Sequence, residues 1–215
     1  MDFTELNLHL FEWFNASNHA HEMTIRFAIF IANDLFYIML LFFGFYWLRG
    51  NFAIKKQIVK AFIFTTVALL ISQIISHSFY HPRPFVMEVG RTLIYHSPNG
   101  SFPMEVGRTL IYHSPNGSFP SDHMLIFSTI AFSYFFSEKR SLGIILILLA
   151  WLVAWSRVYL GVHFPLDMLG AFSLAFILNF FGLALWNRFK ITIIEFVLKI
   201  HHAVFKPFIK KGYVK

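Results

Sequence analysis

The chain has 215 residues, of which 57% are hydrophobic, 20% aromatic and only 13% charged. This composition is too apolar for a water-soluble domain of that length, so the sequence predicts an integral membrane protein. The absence of cysteine excludes disulfides and thiolate metal sites. The formal charge of +7 indicates orientation in a membrane, and we expect no nucleic-acid partner.

The first half of the chain predicts a surface helix and two spans. Residues 3–14 place apolar side chains at helical spacing opposite an acidic side, which favours a helix lying along the membrane. Residues 23–48 form an apolar segment long enough to cross a hydrocarbon layer of about 30 Å. Asp34 interrupts this segment, and we interpret it as paired with a neighbouring helix, with a polar contact inside the bundle or to substrate as the alternative. Residues 58–76 predict the second span, with Lys60 reaching the membrane surface by snorkelling.

Three further spans are expected after a long polar loop that ends at Pro120. They cover residues 121–136, 142–155 and 165–186. The basic, amphipathic residues 187–215 predict a helix on the membrane surface, with a sixth span as the alternative. The chain, residues 1–215, is thus expected to be one all-α domain, a bundle of five or six transmembrane helices with amphipathic terminal helices.

The distribution of basic residues predicts which side of the membrane each loop occupies. With five spans, the connectors at residues 49–60 and 138–140 share one side with the tail. This side holds 13 of the 18 lysines and arginines, so it is predicted to be cytoplasmic. The long loop and the polar motifs described below then share the extracytoplasmic face.

The long loop contains a tandem repeat of 17 residues, at positions 87–120. Met87 to Pro103 is followed by an identical copy from Met104 to Pro120, and removal of either copy gives the same chain. Two copies are too few for a solenoid, so we interpret the repeat as a recent duplication. The second copy runs directly into Ser121 and is the expected neighbour of the site, while the first copy is expected to lengthen the loop without joining the chemistry.

A histidine and an aspartate follow the fourth predicted span. Pro165 fits the first position of a helix, so Asp167 falls in its first turn, four residues after His163. That spacing lets the carboxylate hold the imidazole, and oriented histidine–carboxylate pairs make the imidazole a base or a nucleophile.

Two other stretches offer groups that bind anions. Ser121 is suited to cap a helix whose first backbone N–H groups are free, and Arg83 lies between two prolines. Taken singly, these residues are also explained as a helix cap and an interfacial anchor, and Arg157 as a snorkelling residue. Taken together, two arginines, two histidines and a helix N-terminus predict phosphate chemistry.

A metal site is the competing prediction for the same face. Six histidines lie there, and two of them have the spacing of helical metal ligands. Paired arginines beside them would repel a cation, so we predict no metal. The histidines concerned are His77, His81, His96, His113, His123 and His163.

The polar motifs resemble the three signature motifs of the type 2 phosphatidic acid phosphatase superfamily. Three stretches, His-Pro-Arg-Pro-Phe at 81–85, Thr-Leu-Ile-Tyr-His within the repeat and Ser-Phe-Pro-Ser-Asp-His at 118–123, are most similar to the bacterial undecaprenyl pyrophosphate phosphatases associated with bacitracin resistance. One position departs from the pattern: the lysine usually found seven residues before the arginine is Ser76 here, and His77, His81 or Arg108 are candidates for the missing charge. The motifs are Arg83-Pro84, Pro120-Ser121-Asp122-His123, and Ser156-Arg157 with Gly161, His163, Pro165 and Asp167.

The resemblance implies a hydrolysis that needs no metal or other cofactor. It implies that His163 attacks the terminal phosphorus, that Asp167 orients it, and that His123 protonates the leaving oxygen. Water would then release phosphate from the phosphohistidine. The implied phosphate ligands are Arg83, Arg157 and Ser121.

The implied substrate is a polyprenyl pyrophosphate lipid held among membrane lipids. Undecaprenyl pyrophosphate would be converted to undecaprenyl phosphate, which returns to cell-wall synthesis. The resemblance places the protein in the bacterial plasma membrane, with the site on its extracytoplasmic side. Two alternatives stay open: a broader lipid phosphatase acting on phosphatidic acid or phosphatidylglycerol phosphate, and a catalytically silent lipid-binding or transport protein.

Overall fold

The computed structural model describes residues 3–87, 89–91 and 117–214, and their regular structure is entirely helical. The all-α prediction is therefore confirmed. One π-helical turn, Phe30–Asp34, joins the second and third helices into a single segment. The helices are α1 (Phe3–Phe14), α2 (Glu22–Ile29), α3 (Leu35–Arg49), α4 (Phe52–Ser78), α5 (Asp122–Phe135), α6 (Arg140–Tyr159) and α7 (Pro165–Lys210).

Four helical segments of the described chain are long and apolar enough to cross a membrane, as expected of a multi-pass membrane protein. They are Glu22–Arg49, Phe52–Ser78, Arg140–Tyr159 and Pro165–Lys210. The third predicted span is not among them, because α5 has 14 residues and is only about 21 Å long. Most of its side chains are buried against α4, α6 and α7, so this short helix forms the centre of the bundle.

Lys60 binds the carbonyl groups at the C-terminal end of α5, which lies inside the protein. Its side chain is 2% exposed, and its Nζ donates to the carbonyl oxygens of Ser133 (3.0 Å) and Phe136 (3.4 Å) at the end of α5. Gln57 also donates to the Ser133 carbonyl, at 2.8 Å. The last carbonyls of a helix have no partner within it, and a cation stabilises them. The prediction that Lys60 snorkels to the membrane surface is therefore wrong.

The basic tail continues α7 instead of forming a separate surface helix. This helix has 46 residues, about 69 Å, and does not end at Trp186. The buried His201 packs edge-on against Trp47, with ring centroids 5.2 Å apart, and its Nε2 lies 3.3 Å from the Lys55 Nζ. The tail is helical as predicted, but its inner face packs onto the adjoining ends of α3 and α4.

The side chain of Asp34 is exposed, contrary to our interpretation of this residue. It lies in the π-helical turn and makes no ion pair or hydrogen bond within the described part of the chain. The following helix, α3, has no buried side chain, which is the pattern of a helix that faces lipid. Asp34 therefore does not fasten α3 to a neighbouring helix.

The N-terminal helix covers the end of the bundle where α7 begins. Phe11 is fully buried and contacts the Phe164 ring edge-on, with centroids 5.2 Å apart. The Asn7 Oδ1 accepts a hydrogen bond of 3.1 Å from the Leu166 N–H. The amphipathic pattern of residues 3–14 thus serves packing against the start of α7, whose first turn holds the predicted site residue Asp167.

Candidate active site

The turn between α6 and α7 fixes the histidine–aspartate pair. Gly161 has a φ of +76°, a conformation that glycine adopts without steric cost. Pro165 begins α7 as predicted, and the Phe164 N–H donates to Asp167 Oδ2 at 2.8 Å. The same oxygen lies 3.4 Å from His163 Nδ1, and both side chains are at most 2% exposed. The helix cap thereby aims the carboxylate at the imidazole.

Ser118 joins this pair, although it was not among the predicted site residues. Its hydroxyl donates to Asp167 Oδ2 and lies 3.2 Å from His163 Nδ1. Its backbone N–H donates to the His81 carbonyl at 2.7 Å. The available signal was its place three residues before Ser121, but a loop serine has many ordinary roles and gives no specific prediction.

Arg83 reaches the opposite nitrogen of the same imidazole. Its Nη1 lies 3.0 Å from His163 Nε2 and 3.5 Å from the Val162 carbonyl oxygen. Burial lowers the pKa of Arg83 below its ordinary value, while the carboxylates of Asp167 and Asp122 act in the other direction. Arginine remains a cation and can only donate, so His163 Nε2 is the acceptor in this contact.

Arg157 and Ser121 add two further groups to this end of the bundle. Arg157 is 1% exposed, and its guanidinium is within electrostatic reach of Arg83 and Asp122. Ser121 is the N-cap residue of α5, and its N–H lies 3.4 Å from the Asp167 carbonyl oxygen. The Ser121 hydroxyl is buried without a hydrogen-bond partner among the described residues. Two cations and such a hydroxyl at one end of the bundle suit the oxygens of a bound anion.

His123 lies in the first turn of α5, at the same end of the bundle. Its side chain is half-buried, and its ring centroid lies 6.2 Å from that of Phe36. The preceding residue, Asp122, accepts a hydrogen bond of 2.9 Å from the Ser72 hydroxyl. The helix start that holds Ser121 thus also holds His123.

A cavity of about 360 Å³ opens beside Arg83. Ser76, at the position where the family has lysine, is one of the residues that line this cavity. Ser76 also lies close to Gly117, since a Cβ added to that glycine would be 2.5 Å from the Ser76 Oγ. Of the described candidates for the missing charge, His77 lines this cavity, whereas His81 Nδ1 lies 3.8 Å from Asp167 Oδ1. The lining residues are Gln73, Ser76, His77, Tyr80, Arg83, Gly117, Pro120 and Asp122.

Acidic and histidine side chains give no cluster suited to a metal in the described ranges. No three His, Cys, Asp or Glu side chains of residues 3–87, 89–91 and 117–214 are grouped to hold an ion. His96, His113 and Arg108 lie outside these ranges. The metal-independent reaction therefore stays a prediction.

Each copy of the repeat contributes one end to the described structure. Arg91, from the first copy, exchanges backbone hydrogen bonds with the Asn15 side chain, at 2.6 Å and 2.9 Å. Residues 117–120, from the second copy, carry Ser118 into the site. The expectation that the second copy neighbours the site agrees with this geometry, but the first copy also packs against the N-terminal segment.

Deletion of Met87 to Pro103 should leave the phosphate release that the resemblance implies largely unchanged. The single remaining copy keeps one Gly-Arg pair for Asn15 and one Ser-Phe-Pro run for the site. Phosphate release from membranes with matched expression of the two chains measures the effect. A well-expressed, folded single-copy chain without activity would show that the duplicated residues take part in the chemistry.

The chain is similar to known proteins over most of its length. Residues 57–191 match the sequence model of the PAP2 superfamily. YbjG of Escherichia coli K12 is 33% identical over 98% of both chains. The undecaprenyl-diphosphatase BcrC of Bacillus subtilis 168 is 27% identical over 96% of this chain and 97% of its own. The crystal structure of Aquifex aeolicus LpxE has a TM-score of 0.61 and 25% identity, covering 83% of this chain and 95% of that one.

Proposed function

This chain belongs to the PAP2 superfamily, and from that premise we propose that it hydrolyses undecaprenyl pyrophosphate to undecaprenyl phosphate and inorganic phosphate. The name of its Bacillus subtilis relative describes an undecaprenyl-diphosphatase, and the two chains align over almost their full lengths. The observation that carries the proposal is the imidazole of His163, which has a carboxylate at one nitrogen and a guanidinium at the other.

The proposed reaction begins with His163 Nε2. Because Arg83 donates to this nitrogen, the lone pair is available there and the ring proton is on Nδ1, facing Asp167. When substrate binds, its terminal phosphate would take over the hydrogen bond from Arg83. Nε2 would then attack the phosphorus in line, and the bond to the bridging oxygen would break.

The cationic groups would stabilise the transferring phosphoryl group. Phosphoryl transfer depends mainly on positioning and on neutralising the charge of the equatorial oxygens. Arg83, Arg157 and the Ser121 hydroxyl lie at one end of the bundle and are suited to this role. His123 would protonate the bridging oxygen as undecaprenyl phosphate leaves. Water would release phosphate from the phosphohistidine.

We infer from the charge distribution that the site faces the extracytoplasmic side of a bacterial plasma membrane. The basic residues of the 49–60 connector, the α5–α6 turn and the α7 tail lie at the end of the bundle opposite to the site. Basic residues next to transmembrane helices favour the cytoplasmic side. A lipid substrate would then reach the site from the outer leaflet.

Phosphate release from matched lipid phosphates tests the proposal. The purified chain in detergent micelles with excess chelator should act faster on undecaprenyl pyrophosphate than on phosphatidic acid or phosphatidylglycerol phosphate. A higher kcat/KM for either phospholipid would replace the proposed substrate. Loss of activity on chelation, restored by a divalent metal, would contradict the metal-independent reaction. Lipid binding without any phosphate release would favour a catalytically silent protein.

A further inference from the structure

Ser118 lies beside the histidine–aspartate pair, and the proposed reaction assigns it no role. It is fully buried, and its backbone N–H is held by the His81 carbonyl at 2.7 Å. Its hydroxyl contacts both members of the histidine–aspartate pair, at His163 Nδ1 and Asp167 Oδ2. Both contacts of this buried hydroxyl are to the histidine–aspartate pair, so its position points to a role in the reaction and not only in the loop.

The hydrogen-bond roles at Ser118 follow from those of its neighbours. Arg83 is a donor only, so His163 Nε2 accepts and Nδ1 carries the proton. The Ser118 hydroxyl has one proton, which it donates to Asp167 Oδ2. Its oxygen is then the acceptor for Nδ1–H at 3.2 Å, a shorter separation than the 3.4 Å from Nδ1 to the carboxylate itself. The hydroxyl therefore bridges the imidazole N–H and the carboxylate.

We propose that Ser118 is a positioning residue for the phosphatase reaction, through this bridge between His163 and Asp167. The inference rests on the proposed function. The bridge holds the ring with its Nε2 lone pair directed at Arg83, where the phosphate would bind. It also transmits the stabilising effect of the carboxylate to the ring when attack on phosphorus makes the imidazole positively charged. Ser118 itself forms no bond to substrate.

Ser118→Ala should lower kcat roughly 10- to 100-fold with little change in KM, the factor expected for losing one hydrogen bond to a charged group. The mutation removes the bridge but leaves Arg83, Arg157 and Ser121 to bind phosphate, so substrate binding persists. Ser118→Thr, which restores a hydroxyl, should be more active than Ser118→Ala. Steady-state kinetics with undecaprenyl pyrophosphate and the thermal midpoint of each purified variant measure these effects.

The repeat supplies a matched control, because Ser101 lies in the same Gly-Ser-Phe-Pro sequence in the first copy. Ser101→Ala should retain the parent kcat. Equal kcat values for the alanine variants at positions 101 and 118 would overturn the proposal. A rise in KM with unchanged kcat in Ser118→Ala would also overturn it, since that result indicates a role in substrate binding.

A second variant tests the proposal if Ser118→Ala does not fold. If Ser118→Ala is not recovered as folded protein, Ser118→Cys tests the same point, since its thiol is close in size but a weak hydrogen-bond donor. A Cys variant with the parent kcat would contradict the bridge, and a reduced kcat at unchanged KM would support it. A parent chain without phosphatase activity on any lipid would instead refute the proposed function.

Discussion

Replacing His163 with Gln should abolish phosphate release from undecaprenyl pyrophosphate, with a fall in kcat of at least about three orders of magnitude. Glutamine is similar in size and can still accept a hydrogen bond from Arg83, but its amide is a poor nucleophile. The buried environment of residue 163 is preserved, so loss of activity would report on chemistry and not on folding. Substrate binding should be largely retained, because the cationic groups remain.

Trapping of the phosphorylated protein gives the sharper measurement. Substrate labelled in its terminal phosphate, mixed with the parent chain and quenched in alkaline denaturant, should leave acid-labile label on the protein, and His163→Gln should carry none. His202→Gln, in the exposed part of the α7 tail, provides a control that keeps both the label and the activity. Label that persists in His163→Gln would place the nucleophile elsewhere.

The local parts of the site were predictable because their signals lie close together in sequence. Proline at position 165, with an aspartate two residues later, predicts the start of α7, and the spacing from His163 predicts the contact with Asp167. Ser121 was likewise predicted at the start of α5. These features depend on backbone geometry over a few residues, which the sequence specifies directly.

Features that depend on packing between distant helices were not predictable in the same way. The sequence predicts that Lys60 lies at the membrane surface, because nothing in its own helix indicates that the last carbonyls of α5 are close to it. The continuation of α7 past Trp186 depends on partners such as Trp47, far away in sequence. The role of Ser118 becomes visible only from its contact with Asp167 in α7, although residues 121 and 123 nearby were predicted site residues.

The approach of Arg83 to His163 is an intermediate case. The residues are 80 positions apart; the charge distribution predicted that they share one face, and the resemblance to a known family gave them a common site. The missing lysine at position 76 shows the limit of that argument. Resemblance indicates which charge is absent, but only the structure shows Ser76 packed against Gly117, with His77 on the wall of the same cavity.

Asp167→Asn should lower kcat by roughly two to four orders of magnitude, the range expected when a carboxylate that orients a catalytic histidine is neutralised. Asp167 Oδ2 accepts from both Ser118 and the Phe164 N–H, and Asp167 Oδ1 faces His81. An amide keeps one acceptor oxygen but places an NH₂ group where the other oxygen was. The positively charged ring formed during the reaction also loses its counter-charge. Kinetics at saturating substrate measure the effect.

Asp122→Asn is the matched control, because Asp122 also lies in the first turn of a helix and close to Arg83. Its carboxylate lines the cavity and accepts from Ser72, so neutralising it removes a negative charge that would oppose a bound phosphate. We therefore expect Asp122→Asn to keep kcat and to lower KM, with thermal midpoints close to the parent chain for both variants. Equal losses of kcat in the two variants would mean that net charge around Arg83, and not the orientation of His163, limits the reaction.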